Sequence, residues 1–301
     1  MPGSRRPLHP ANPVVLVTGA STGIGLAIAK QLSERGDTRT IVSARDSSLP
    51  RLAAAGLREG ERCRIHALDV TDPRQREAVV EAAERHWGGV DVLINNAGIT
   101  YRSVTEHLQA AEATRQLETN FLAPMELARL VLPGMRRKRA GRIVNISSVS
   151  GMMAMPTMGV YSASKFALEG ASESLWYEAR CWNVWVTLVQ PGFIHSSSFR
   201  NVILSEQARH AVADPGDPYA VVYRSMAPFI ERLMRLSPAT PEHVARRVLR
   251  VLCQERPPLR VSATFDARFF YLLRRLLPRR VYHAVLHRAL PRVREWGSEE
   301  G

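Results

Sequence analysis

The chain has 301 residues, 45% hydrophobic and 23% charged, proportions of a globular protein that exclude wholesale disorder, collagen and coiled-coil rods. That length suits one large domain or two small ones, with a core that needs no disulfide or metal staples. Three scattered cysteines, Cys63, Cys181 and Cys253, offer neither a disulfide framework nor a zinc site, and the net charge of +13 is concentrated between residues 256 and 294, where ten arginines face one acid, Asp266.

Residues 1–12 contain basic residues and prolines without the apolar run of a signal peptide, so the expectation is a flexible N-terminus. No apolar run reaches the roughly 18 residues a spanning helix needs, and a cytoplasmic protein is expected. Residues 14–17 read as a short buried strand. The strand passes into TGASTGIG at 18–25 and then into a helical pattern over 25–35. Glycines at 19, 23 and 25 allow a tight turn, and the helix start supplies free N–H groups and a positive dipole end for a phosphate. Their spacing departs from the general G-x-G-x-x-G fingerprint, so the strand–turn–helix setting carries the signal.

Further strands are expected at 40–42, 64–68, 90–94, 142–146, 184–189 and 259–261. Helical patterns occupy 73–87, 110–137, 162–181 and 241–254. Continuous β-branched runs alternating with helices imply an α/β fold, a doubly wound parallel sheet with helices on both faces. Ser148 lies just past the strand at 142–146, where its hydroxyl meets an oxygen that develops charge. Thirteen residues later, Tyr161 and Lys165 (YSASK) fall four apart on one helix face. A free phenol ionises near pH 10 and is a poor base at neutral pH, whereas a neighbouring ammonium favours the phenolate. Either feature alone is a common accident; the set is not.

In this order, TGASTGIG at 18–25, Asp69-Val70, NNAG at 95–98, Asn120, Ser148, YSASK at 161–165 and Pro191-Gly192 resemble the short-chain dehydrogenase/reductase family, in its standard-length single-domain branch. The resemblance spans roughly residues 13–200. It implies a Rossmann-like domain over 13–261, a substrate lid at about 196–237 and a C-terminal basic extension over 262–301. It also implies a cytoplasmic oxidoreductase that interconverts an alcohol and a ketone or aldehyde. Tyr161 would be the general acid/base and Lys165 would lower its pKa and hold the nicotinamide ribose. Ser148 would polarise the substrate oxygen and Asn120 would anchor a relay water. Gly19, Ser21, Thr22, Gly23, Ile24 and Gly25 would carry the pyrophosphate. Asp69 and Val70 would contact adenine, and Asn96, Ala97 and Gly98 would line the adenosine side. Pro191, Gly192, Ile194 and Ser196 would hold the nicotinamide, with Ser196 standing where the family usually has threonine.

The acid that would mark an NAD enzyme falls at the neutral Ala44, and Arg45 follows with a guanidinium suited to a 2′-phosphate. NADP(H) is therefore favoured over NAD(H), although Thr22 lacks the second basic side chain of many NADP-using relatives and Asp46 offers Arg45 another partner. Met152, Met153, Met155 and Met158, with Phe193, Phe199, Tyr219, Met226 and Phe229, suggest an apolar substrate. YSASKFALEG looks most like hydroxysteroid and retinol dehydrogenases. In the extension, apolar residues recur at helical spacing on both sides of Pro278 with arginines between them. Such helices either dock on the domain or lie on anionic lipid, while nucleic acid is disfavoured because the aromatics form no stacking platform. The family's habit implies a homodimer or homotetramer through the helices carrying Asn120 and Tyr161. A non-catalytic NADP(H) sensor or a membrane-surface scaffold is the alternative.

Overall fold

The structure is a computed structural model that describes residues 7–196 and 202–297. Phe199 and part of the expected lid lie outside the described residues. The apolar runs become strands where expected: β1 Val14–Val17, β2 Arg39–Ala44, β3 Cys63–Ala67 and β4 Val92–Asn95, then, after the two-residue β5 Tyr101–Arg102, β6 Gly141–Ile146 and β7 Val184–Gln190. A second two-residue strand, β8 Ile203–Leu204, pairs with β5, and β9 Arg260–Ser262 completes the main sheet. That sheet is parallel with the order β3-β2-β1-β4-β6-β7-β9. The order reverses between β1 and β4, and a crevice opens there beyond the carboxyl ends of the strands.

Alternation along each strand divides the core into two layers. Val15 and Val17 pack with α1 (Gly23–Ser33), α2 (Leu49–Ala54) and α9 (Pro241–Leu252). Val14 and Leu16 face α3 (Pro73–Trp87), α5 (Ala123–Lys138) and α6 (Gly159–Ala179). The N-terminal segment, set apart as flexible on sequence, also contributes to the first layer. Leu8 is buried there, and the His9 N–H donates to the Leu252 carbonyl at 2.9 Å.

The single helical pattern over 110–137 is interrupted. Helix α4 (Ala110–Leu117) runs into a π-turn at Glu118–Leu122 before α5 begins. Pro124 has no N–H to give the carbonyl four residues earlier, that of Asn120, so a regular α ladder cannot pass through. The wide turn absorbs the break. Helix α8 (Ala220–Leu236) borders the crevice through Ile230 and Met234, α7 (Glu206–Ala213) packs against it, and α10 (Phe265–Leu276) and α11 (Arg279–Arg288) form the extension. Among the described residues no helix is long and apolar enough to cross a membrane.

The four methionines between Ser148 and Tyr161 divide between two clusters. Met152 and Met153 are buried with Val149 under Ala267, Phe270 and Leu286, where they seat α10 and α11 on the domain, and Met155 packs at their edge. Met155 also reaches the α8 cluster, which Met158 shares with Val222, Met226 and Ile230.

Candidate active site

Two connected cavities occupy the crevice. The larger, of about 590 Å³, is lined by Gly19, Ser21, Thr22, Gly23, Arg45, Asp69, Val70, Ala97 and Ser196. The smaller, of about 290 Å³, is lined by Asn120, Ser148, Tyr161, Lys165, Pro191 and Gly192. They merge at Ile24, Asn96, Gly98 and Ile194. Every site residue expected from sequence therefore lies on this cleft except Gly25, which sits behind the turn. A Cβ there would collide with the Asn96 amide nitrogen and stand 2.5 Å from the Gly19 carbonyl oxygen. Gly25 thus allows the close approach of turn and loop, and Gly19 supplies the turn's positive φ of 65°.

Thr18 fastens this corner and carried no signal of its own in the sequence. Its hydroxyl accepts hydrogen bonds from the N–H groups of Asn96 at 3.0 Å and Ala97 at 3.1 Å. Asn96 returns its amide protons to the carbonyls of Thr18 and Gly19, both at 3.0 Å. The glycine turn and the NNAG loop are one cross-linked unit.

At the adenosine end Arg45, Ser48, Arg51 and Arg115 line the cavity around Asp69. Burial pushes the Asp69 carboxyl up, but hydrogen bonds from Thr71 and the charges of Arg45 and Arg115 bring it below its ordinary value. Arg51 and Arg115 escaped the sequence reading because their helices follow the strand ends by several residues.

Tyr161 and Lys165 share one face of α6, with the ammonium 5.9 Å from the centre of the phenol ring. Burial raises the Tyr161 pKa above its ordinary value, and a hydrogen bond from Ser148 acts in the opposite direction. The sequence leads one to expect a phenol drawn down by Lys165; in the structure burial has the largest effect and leaves the phenol above its ordinary value. Burial also lowers Lys165 to about 8, partly opposed by Glu169 one turn along the helix. The Lys165 ammonium donates to the Ile146 carbonyl at 2.8 Å.

The Asn120 carboxamide splints the loop after β4. It accepts from the Ile99 N–H at 2.9 Å and donates to the Ile99 carbonyl at 3.0 Å and to the Ser164 hydroxyl at 3.2 Å. Two of these bonds tie the side chain to the Ile99 backbone and the third to the Ser164 side chain on α6.

The reaction centre faces an apolar wall of Met158, Phe193, Val202, Ile230 and Met234, with the buried Arg102 beside it. Burial lowers the Arg102 guanidinium to about 10, so it is charged at neutral pH. The loop after β7 is held from two sides. The Gly192 N–H donates to the hydroxyl of Thr264 in the extension at 2.9 Å, and Ser237, at the end of α8, donates to the Phe193 carbonyl at 2.6 Å.

The sheet order, the glycine turn on the switch-point crevice and the Ser148–Tyr161–Lys165 group define a dinucleotide-binding oxidoreductase. The profile of the short chain dehydrogenase family matches residues 13–207, and the chain belongs to that family. It is 33% identical over 249 residues to a 3-ketodihydrosphingosine reductase of Bacteroides thetaiotaomicron, covering 83% of this chain and 87% of the relative. It is 36% identical over 252 residues to human retinol dehydrogenase 8, covering 82% and 79%. A crystal structure of a short-chain dehydrogenase from Streptomyces avermitilis superposes with a TM-score of 0.75 at 32% identity, covering 92% of this chain and 96% of that one. The protein is an enzyme that interconverts CH–OH and carbonyl groups with a nicotinamide cofactor.

Proposed function

We propose that the enzyme is an NADP(H)-dependent reductase of an apolar, lipid-like ketone or aldehyde, with Tyr161 as the proton donor. The observation that carries this reading is the meeting of Ser148, Tyr161 and Lys165 with an apolar wall at the inner end of the dinucleotide cleft. The residues present fit the cofactor. A side-chain-free glycine turn faces the helix start, Lys165 is buried at the inner end, and Arg45 and Arg51 stand at the adenosine end, where Ala44 supplies no repelling acid. The two relatives named above, one called a ketodihydrosphingosine reductase and the other a retinol dehydrogenase, agree with a long apolar substrate.

When bound, the nicotinamide supplies or accepts a hydride. Ser148 donates a hydrogen bond to the substrate oxygen and stabilises the charge that develops there. Tyr161 gives its proton to that oxygen. Its raised pKa keeps the phenol protonated until the oxygen becomes the stronger base, which favours reduction. The Lys165 ammonium stabilises the phenolate left behind, and Tyr161 is reprotonated from solvent along the π-turn that carries Asn120. In the oxidative direction the same groups move the proton the other way.

The extension would bring the enzyme to a membrane surface. Phe265, Phe269, Leu272 and Leu276 form one exposed stripe along α10, with Phe265 82% and Leu276 75% exposed. Arg268 and Arg275 flank that stripe, an arrangement suited to an anionic interface. Leu122, exposed in the π-turn that carries Asn120, and Tyr177, exposed on α6 with Tyr161, suit self-association into a dimer or tetramer.

The test is NADPH oxidation against a panel of lipophilic ketones and aldehydes, with Tyr161→Phe as control. Turnover lost in the variant while NADPH still binds is the expected result. Equal turnover by the variant overturns the role of Tyr161, and turnover with NADH alone overturns the cofactor assignment.

A further inference from the structure

A further cavity, of about 550 Å³, lies outside the cleft, between the outer face of α6 and the two helices of the extension. Its floor is apolar: Met153, Phe166 and Leu286. Its rim carries Arg274, Arg279 and His283. The Arg274 guanidinium stands 5.5 Å over the Phe166 ring, and no ion pair joins Arg274 or Arg279 to a carboxylate among the described residues. The wall between floor and rim is Tyr282. Its side chain is 95% buried, being 5% exposed, and its hydroxyl has no hydrogen-bond partner. A buried phenol that finds no acceptor costs stability in an unliganded protein. Burial raises the Tyr282 pKa and the Arg274 charge opposes that rise, so the guanidinium lies within electrostatic reach of the phenol.

Two guanidinium groups and an imidazole above an apolar floor are complementary to a molecule with an anionic head and an aliphatic tail. The geometry points to a binding slot for one anionic phospholipid, its phosphate held by Arg274 and Arg279 and the start of its acyl chain against Met153, Phe166 and Leu286. The slot deepens the membrane reading of the extension and rests on it. The exposed stripe of α10 meets the leaflet as a surface, whereas the slot extracts or clamps a single head group. Because Phe166 lies on the catalytic helix, five residues after Tyr161 and next to Lys165, a lipid in the slot packs against the back of the reaction centre.

The test uses the full chain and monomeric dihexanoylphosphatidylglycerol below its micelle concentration, with binding read by titration calorimetry. Dihexanoylphosphatidylcholine and inorganic phosphate serve as comparison ligands. The paired variant Arg274→Gln/Arg279→Gln should weaken binding of the glycerol lipid by about tenfold or more. The charge-matched pair Arg280→Gln/Arg288→Gln, outside both the slot and the exposed stripe of α10, should leave it unchanged. Equal loss in the two arginine pairs means diffuse charge attraction and overturns the slot, as does equal affinity for the choline lipid. Inorganic phosphate binding as tightly as the lipid overturns the acyl-chain contact. Sedimentation with vesicles of phosphatidylcholine and phosphatidylglycerol separates the two ideas: vesicle binding without monomer binding overturns the slot and leaves the surface contact standing, and absence of both removes the membrane reading as well.

Discussion

The Asp266 carboxylate accepts a hydrogen bond from the backbone N–H of Phe193 at 2.7 Å. A residue of the C-terminal extension thereby holds the loop that follows β7. The fit is close enough that a Cβ at Gly192 would run into the carboxylate.

Removing that acceptor leaves a part-buried amide unpaired, which costs about 1–3 kcal/mol. Asp266→Ala should therefore raise the dissociation constant of the nicotinamide cofactor about tenfold, whereas Asp266→Asn, which keeps an acceptor oxygen, should recover most of the affinity. Fluorescence titration of NADPH reads both. Equal affinities for wild type and Asp266→Ala would show that the loop holds its shape without the strap.

Lys165 sets a pH limit on binding. Its folded pKa is lowered to about 8, so the ammonium is present below that pH and is lost as the pH rises through it. An ammonium that donates to a ribose hydroxyl then gives a cofactor affinity that is flat below about 8 and falls by up to tenfold per pH unit above it. Lys165→Gln should bind more weakly and show no such break. Dissociation constants measured across this range decide the point, and a wild-type profile without the break would contradict it.

The close contact of Gly25 with Asn96 and the Gly19 carbonyl leaves no room for a methyl group. Gly25→Ala should destabilise the fold by about 1–3 kcal/mol and abolish cofactor binding. Thermal denaturation with and without NADPH measures both effects, and a variant that melts and binds like wild type would refute the packing argument.

Arg45 and Arg51 line the same end of the cleft. Arg45→Ser should raise the KM for NADPH by about tenfold to a hundredfold while leaving the KM for NADH within about twofold. Arg51→Ser should act in the same direction and more weakly. Parallel losses with both cofactors would place these guanidinium groups elsewhere than on a 2′-phosphate.

Much of this molecule could be read from sequence because its signals are local. The VVLV run, the glycine turn and the tyrosine–lysine spacing each lie within a few residues, and each fell where expected. Three features did not have that character. The π-turn around Asn120 is hidden within an unbroken helical periodicity, and its only local mark is Pro124. The methionines between Ser148 and Tyr161 have the same apolar chemistry whether they line a substrate pocket or seat a helix, so only tertiary packing could assign Met152 and Met153 to α10 and α11. The straps from Thr264 and Asp266 to the Gly192 and Phe193 amides cross 72 and 73 residues. Because they end on backbone, they require no complementary side chain that a sequence could reveal.

Those straps also order the protein's synthesis. The glycine turn and the NNAG loop are made within the first 98 residues, but the adenosine-end cavity also borrows Ile194, Ser196, Ile203 and Pro241. The loop after β7 receives its last hydrogen-bond partners only when Thr264 and Asp266 have been added. The two ends of the cleft are therefore completed at different stages of synthesis, the loop after β7 last, by residues of the C-terminal extension.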